Sequence, residues 1–288
     1  MSNKIVLGVI GGSGLYNFEG LENQQTIEIE TPFGKPSAPI VVGDLNGKNV
    51  AFLARHGIGH TITPSEVNYR ANIYALKSLG INKVISVSAC GSLREDYAPG
   101  DIIIPDQIFD FTHKRHRSFF GEGIVSHVSV ADPFCKNLSA QLQNSLSKEN
   151  VKVHMGGTYV AIEGPRFSTK AESHLYRSWG MSIIGMTAAP EVFLAREAEL
   201  CYATMAHITD YDVWHETVEP VTIEMVIKTL LNNTAVAQKS IVNLVDNLAE
   251  NDECECHQSL KNSIVTNSTL IPGKTRKKLD LLVKKYLD

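Results

Sequence analysis

The sequence lacks several features that would mark other classes of protein. Its 288 residues carry 27 Lys and Arg against 31 Asp and Glu, a formal net charge of −4. A nucleic-acid-binding surface normally comes with a basic excess, and there is none. No apolar run approaches the roughly 20 residues that span a bilayer. The apolar start Ile5–Ile10 is too short for a secretory core region. The expectation is a soluble, cytoplasmic chain with no nucleic-acid and no membrane partner. The chain has five cysteines: Cys90, Cys135, Cys201, Cys254 and Cys256. An odd count in a chain of this length is not a secreted disulfide framework. Cys90 and Cys201 stand among apolar neighbours, which reads as core packing. Cys254-Glu255-Cys256-His257 lacks the second cysteine pair that a closed zinc site needs. Free surface thiols, and no metal, are expected there.

What is present suffices for a substantial core. Hydrophobic residues make up 43% and charged residues 20%, the balance of an ordered globular chain. Strand-like runs recur at Lys4–Ile10, Gln25–Glu30, Pro39–Val42, Asn49–Ala54, Lys83–Ala89, Asp101–Ile104, Gly157–Ile162, Ser182–Met186 and Leu200–Ile208. Several are continuous and apolar, as strands buried on both faces must be. Helical patterns lie between them. Thr63-Pro64-Ser65-Glu66 offers an N-cap, a proline at the first helical position and a capping-box Glu, with a stop at Gly80. Asp132-Pro133, and Thr169 with Glu172, give two more helix starts. Long amphipathic and basic helices are expected at Thr222–Leu248 and Lys274–Leu287. Alternating strands and helices predict an α/β fold with a mixed or mostly parallel sheet. One domain over residues 1–250 and a C-terminal extension over 251–288, packing on that domain, are expected.

Five segments carry candidate chemistry. Gly11-Gly12-Ser13-Gly14 follows the first strand, and such a turn lets backbone N–H groups approach an anion. It lacks the Gly-Lys-Ser/Thr end of a nucleotide-binding P-loop. A dinucleotide fingerprint would need a third glycine where Asn17 stands, although Glu30 is suitably spaced for a ribose-binding acid. Arg55-His56-Gly57-Ile58-Gly59-His60 ends another strand, where an Arg–His pair suits an oxyanion; two glycines argue against a helical His56–His60 metal pair. Ser86-Val87-Ser88-Ala89-Cys90-Gly91-Ser92 ends a buried strand in small, hydroxyl-bearing residues. Glu163-Gly164-Pro165-Arg166-Phe167-Ser168-Thr169 is an irregular loop with an aromatic ring available for stacking. Thr209-Asp210-Tyr211-Asp212 sends two carboxylates out of an apolar strand, which is costly unless they meet a ligand or partners. Each segment taken alone could equally be a turn.

Taken in order, these segments resemble the methylthioadenosine phosphorylases of the trimeric purine nucleoside phosphorylase superfamily. The resemblance runs from Ile10-Gly11-Gly12-Ser13-Gly14-Leu15 through Thr31-Pro32-Phe33-Gly34-Lys35-Pro36-Ser37, Ala54-Arg55-His56-Gly57, His60-Thr61-Ile62-Thr63-Pro64-Ser65, Ala89-Cys90-Gly91-Ser92-Leu93-Arg94-Glu95, Ile162-Glu163-Gly164-Pro165-Arg166-Phe167-Ser168, and Met186-Thr187 with Pro190-Glu191. It ends at Thr209-Asp210-Tyr211-Asp212-Val213-Trp214 and covers the chain to about Lys228. It implies a three-layer α/β/α fold around a mixed sheet. It implies phosphate contacts from Ser13, Arg55, His56, Ser88, Ala89 and Thr187, a ribose contact from Met186, and base contacts from Phe167, Ser168, Asp210 and Asp212. His60 would reach a neighbouring subunit's site, and Ile223, Val226 and Ile227 would line the pocket of the 5′ group. The implied assembly is a homotrimer or a dimer of trimers. The Cys-x-Cys resembles that of some thermophilic relatives, where it is linked to disulfides.

The implied reaction is phosphorolysis of a 5′-methylthio adenine nucleoside to adenine and 5-methylthioribose 1-phosphate, without a cofactor, phosphate being the co-substrate. Asp210 would deliver the proton or hydrogen bond to N7 of the leaving base, and Asp212 would help to hold the 6-amino edge. Competing readings are a phosphorylase of methylthioinosine or of ordinary purine nucleosides, and, outside enzymes, a nucleoside-binding sensor.

Overall fold

The computed structural model describes residues 4–12, 15, 18, 20–215, 223–248 and 253–287; between 223 and 232 only residue 224 has a described side chain. Its strands are β1 (Ile5–Gly11), β2 (Glu22–Ile27), β3 (Ile40–Leu45), β4 (Lys48–Ala54), β5 (Lys83–Ser92), β6 (Ile102–Ile104), β7 (Gln107–Phe111), β8 (Val153–Met155), β9 (Thr158–Ile162), β10 (Ile183–Gly185) and β11 (Cys201–Asp210). Its helices are α1 (Tyr69–Ser78), α2 (Lys136–Leu146), α3 (Lys170–Ser178), α4 (Ala188–Glu197), α5 (Ile223–Asn247), α6 (Gly273–Lys278) and α7 (Asp280–Leu287).

All the strands join one mixed sheet in the order β2-β3-β4-β1-β5-β10-β9-β7, with β11, β6 and β8 branching from β5. Strands β4, β1, β5 and β11 are mutually parallel, and all ten residues of β11 are buried. Such strands need cover on both faces. On one face α1 and α4 bring Ile73, Leu76, Leu194 and Ala195 into a cluster with Ile10 and Leu53. On the other, α2 and α5 bring Leu138, Leu142, Ala237 and Ile241 against Leu7, Ile85 and Met205. The expected three-layer α/β/α architecture is the one observed.

The sheet divides at β5. Along one edge β5 pairs with β1 only as far as Ser86, opposite Ile10. Further along, the same edge is taken by β10, antiparallel, at Gly91 and Ser92. The opposite edge carries β11 throughout, from Cys201 beside Lys83 to Asp210 beside Gly91. Residues 87–90 therefore have no strand neighbour on the first edge. A split of this kind at the carboxyl ends of parallel strands is where open α/β sheets bind ligands.

Local chemistry explains where the elements differ from expectation. The capping box at Thr169 and Glu172 forms, and α3 starts there. Helix α1 starts later than Thr63. Glu66 instead closes on Thr63, accepting from its N–H and hydroxyl in an isolated turn, and Asn68 caps the helix by accepting from the Ala71 N–H. Likewise Cys135, not Asp132, caps α2, through its sulfur and the Leu138 N–H. The basic C-terminal helix breaks at Leu279 into α6 and α7. Strands β7 and β8 were not foreseen; both are short and lack an apolar run. Beyond residue 253, Cys256 joins the α2/α5 cluster, and Leu260, Ile271, Leu279 and Leu282 join the α1/α4 cluster.

Candidate active site

Arg55 follows β4 and fills the split in the sheet. Backbone carbonyls beside such a gap must find donors, and the guanidinium supplies them: Nη1 donates to Val87 O at 3.2 Å and Nη2 to Ile10 O at 3.4 Å. Nη2 also donates to Ser86 Oγ at 2.7 Å. Nε and Nη2 grip Glu191 of α4 at 2.8 and 2.9 Å, and Tyr202 Oη donates to the same carboxylate at 2.7 Å. Burial works against the charge of Arg55, but the Glu191 carboxylate outweighs it and raises the guanidinium above its ordinary value. Of the five N–H donors, one on Nη1 has no partner in this set. Arg55, expected to contact phosphate, thus has that one donor left over from its bonds within the chain.

His56 lies beside it, buried. Its Nδ1 is 3.0 Å from Ile62 O, so Nδ1 carries the hydrogen and Nε2 is left as an acceptor. Burial, then the charge of Arg55, pulls its pKa down to about 4, which keeps the ring neutral near pH 7. Ser88 of β5 and Thr187 at the start of α4 meet hydroxyl to hydroxyl at 3.0 Å. The Thr187 side chain makes no cap bond to its own helix. Ala89 is the next, half-buried residue of β5. These predicted phosphate residues therefore converge where β4, β5 and α4 meet. Ser13 lies outside the described residues.

About 10 Å further along β5, three residues on, Gly91 pairs with Asp210. A Cβ on Gly91 would stand 3.0 Å from Asp210 Oδ1 and 3.3 Å from Asp212 Cβ, so a glycine lets the two aspartates close over the strand. Asp210 Oδ2 accepts from Thr209 Oγ1 at 2.6 Å, and Oδ1 accepts from the Asp212 N–H at 2.7 Å. Asp212 takes a positive φ of 52°, a conformation aspartate tolerates. The following turn is pinned by Trp214, whose Nε1 donates to Ser92 O at 2.7 Å under the Arg177 guanidinium, 3.4 Å from the ring centre. Burial raises the pKa of both carboxyl groups. Their own-chain hydrogen bonds pull the other way without cancelling it.

Ser168, in the loop entering α3, and Ser173, one turn inside it, belong to the same region; Ser173 faces Asp212. Ser168 Oγ and Asp212 Oδ2 are buried with no hydrogen-bond partner among the described residues, and Ser173 Oγ has only the Asp212 carboxyl group facing it. Each such atom costs about 1–3 kcal/mol unless a ligand group meets it. Phe167 is 43% exposed beside them, free to stack. Met186 follows β10, whose Ile184 pairs with Gly91, and precedes Thr187, which meets Ser88. Gly164 passes so close to Met186 that a Cβ would lie 2.6 Å from Met186 Sδ.

Three contributors have no role in the sequence reading: Glu191, which stands in the Pro190-Glu191 motif, Ser173 and Arg115. The Arg115 side chain is 1% exposed, and it donates to Met186 O and Ala189 O at 2.6 Å and to Glu163 O at 2.8 Å. It fixes the loops that carry Phe167 and Thr187. Its only sequence signal is its place in the basic run His113–Arg117, which holds a second arginine. Ser173 was legible in principle, as the residue one turn beyond the Thr169 cap. His60 is exposed, has φ 58°, and stacks on His56 of its own chain at 4.4 Å. The side chains of Ile223, Val226 and Ile227 lie outside the described residues; only their backbone is placed, at the start of α5. Glu30, the acid a dinucleotide site would need, is exposed and paired with Lys35.

A family profile described as the phosphorylase superfamily matches residues 6–248. The S-methyl-5′-thioadenosine phosphorylase of Geobacter sulfurreducens is 50% identical over 283 residues, covering 98% of this chain and 99% of the relative. The chain belongs to the methylthioadenosine phosphorylase family. Within that family, the enzyme of Hyperthermus butylicus is 52% identical over 268 residues, 92% of this chain and 97% of its own. A crystal structure of a methylthioadenosine phosphorylase from an Antarctic soil metagenomic library superposes with a TM-score of 0.92 at 47% identity, covering 97% and 99% of the two chains. The Schistosoma mansoni methylthioadenosine phosphorylase in complex with adenine gives 0.83 at 33% identity, over 98% of both chains.

Proposed function

We propose that this protein cleaves S-methyl-5′-thioadenosine with inorganic phosphate, giving adenine and 5-methylthioribose 1-phosphate, and so serves purine and methionine salvage in the cytoplasm. The observation that carries this reading is the arrangement along β5. A hydroxyl–Arg–His group lies at Ser88, and a buried aspartate pair with unpartnered polar atoms lies about 10 Å away at Gly91. That interval suits a ribose held between a phosphate and a base.

The nucleophile is the phosphate dianion, which needs no activating metal or cofactor. The free Nη1 hydrogen of Arg55 and the hydroxyls of Ser88 and Thr187 donate to its oxygens. Neutral His56 suits HPO₄²⁻ in particular, since its Nε2 can accept from the one phosphate hydroxyl. Attack on C1′ forms the C–O bond as the C1′–N9 bond breaks, and the bonding pair passes to the purine. Positioning of this kind is worth about 7–11 kcal/mol in the best cases. Asp210, whose carboxyl group burial shifts toward the protonated form, hydrogen-bonds N7 as negative charge develops there. Asp212 Oδ2 accepts from the 6-amino group, Ser168 and Ser173 complete the polar edge, and Phe167 stacks on the ring. Met186 contacts the ribose. Ile223, Val226 and Ile227 favour a methylthio over a hydroxyl group, which would lose about 1–3 kcal/mol if left unpartnered. The assembly is a homotrimer or a dimer of trimers, with exposed His60 reaching a neighbour's site.

A substrate panel tests the specificity. The highest kcat/KM is expected for methylthioadenosine, then adenosine, with 6-oxopurine nucleosides far behind. A clear preference for adenosine would remove the methylthio assignment, and a preference for inosine would remove the aspartate assignment.

A further inference from the structure

The cysteine reading changes once the chain is folded. The second pair that Cys254 and Cys256 lack in sequence comes from Cys135, the N-cap residue of α2, and Cys201, the first residue of β11. The four sulfur atoms lie within 4.8 Å of one another. Cys135 and Cys254 are 3.6 Å apart, and all are free thiols. A tetrahedral ion with metal–sulfur bonds of about 2.3 Å sets its ligands roughly 3.8 Å apart, so the cluster has the right size. Three of the four sulfurs are buried.

The surroundings are those of thiolates. The Leu138 N–H donates to Cys135 Sγ at 3.4 Å, and Arg196 Nη1 donates to Cys256 Sγ at 3.2 Å. His257 Nε2 lies 3.5 Å from Cys201 Sγ. Two separate nitrogen donors thus reach two of the sulfurs, as outer partners do around metal-bound ligands. Arg196 is itself buried, and no carboxylate among the described residues pairs with it. A buried cation requires a counter-charge. Four thiol groups without a metal carry none when protonated, whereas four thiolates around one divalent ion carry two net negative charges. A depression of about 680 Å³, lined in part by Cys254, Glu255, His257 and Lys261, gives access to the cluster.

We propose that Cys135, Cys201, Cys254 and Cys256 hold one thiophilic divalent cation of the zinc class in a closed structural site. Binding exchanges the thiol protons, released to solvent, for the ion. The site ties the segment after α5 to the start of β11 and to the head of α2. Cys201 and Asp210 are the two ends of β11, about 30 Å apart at the rise of an extended strand, so the ion is remote from the proposed chemistry and acts on stability.

The full-length protein, expressed with zinc in the medium and purified reduced without chelator, should contain close to one zinc per chain by elemental mass spectrometry. Exchange with Co(II) should give sulfur-to-cobalt charge-transfer absorption and the visible bands of tetrahedral coordination. Cys256→Ser should lose the ion and lower the unfolding midpoint by several degrees, with kcat/KM unchanged below that midpoint; Cys90→Ser should keep the ion. If Cys256→Ser fails to fold, the cobalt spectrum of the wild-type protein decides. Metal-free protein that takes up neither zinc nor cobalt would overturn the proposal. So would disulfides among the four cysteines in peptide mass spectra of the protein as purified.

Discussion

Arg55 and Glu191 form an ion pair at 2.8 Å with side chains that are 1% and 0% exposed. The pair closes the split in the sheet at the place where the proposed phosphate-binding residues converge. Removing one partner of a buried pair typically costs 3–5 kcal/mol. Glu191→Gln should therefore lower stability by roughly that amount. It should also leave the Arg55 charge in need of an anion. Phosphate should then raise the unfolding midpoint of Glu191→Gln by more than it raises that of the wild type. Equal shifts in the two proteins would mean that Arg55 does not face phosphate.

The two aspartates should separate in kinetics. Asp210→Asn removes the transferable proton and leaves an amide that can only hydrogen-bond N7, and general-acid groups of this kind contribute roughly 10²–10⁴-fold. Methylthioadenosine turnover should fall within that range, with 6-oxopurine cleavage rising relative to it. Asp212→Asn should act mainly on KM, since its unpartnered Oδ2 meets only the amino edge. A kcat loss for Asp212→Asn as large as that for Asp210→Asn would reverse the assignment.

Gly91→Ala tests the closeness of the aspartates to β5. The new Cβ would lie 3.0 Å from both Asp210 Oδ1 and Ile184 Cγ2, tighter than ordinary contact. The aspartate must shift, and KM for the nucleoside should rise by about tenfold, equivalent to about 1.4 kcal/mol. KM for phosphate, bound at the other end, should stay within about twofold of the wild type, under 0.5 kcal/mol on the same scale. Comparable losses for both substrates would point to general damage to the sheet.

How far the sequence could be read depended on how local each signal is. The α3 capping box was legible because Thr169 and Glu172 satisfy each other within one turn. The same pattern at Thr63 and Glu66 misled because those side chains close on each other in a turn that does not go on into a helix. The strand-end positions of Arg55, Ser88 and Asp210 were legible because apolar runs precede them. That Arg55 spends most of its donors on Glu191, Ser86 and two carbonyls was not, since those partners come from three other elements. Cys201 reads as a core cysteine and Cys135 carries no signal of its own, because nothing near them in the chain shows that α2 and β11 start beside residues 254–256.

His207 sets a pH dependence of stability. It is buried in β11, and neither ring nitrogen has a hydrogen-bond partner among the described residues. Burial lowers its pKa from 6.5 to about 4. Above pH 6.5 the ring is neutral in both folded and unfolded chains and has no effect on pH dependence. As pH falls below 6.5 the unfolded chain binds the proton first, so stability is lost down to about pH 4, by up to roughly 3 kcal/mol. His207→Leu should flatten this stretch of the stability curve in urea titrations. An unchanged acid limb would assign the loss to other groups.

The central claim is phosphorolysis at this cleft, and the most direct measurement is adenine release from methylthioadenosine as a function of phosphate concentration, with the sugar product followed in parallel. The rate should saturate with phosphate and fall to background without it, and each adenine should be matched by one 5-methylthioribose 1-phosphate. Adenine release that persists without phosphate and yields free methylthioribose would contradict the account.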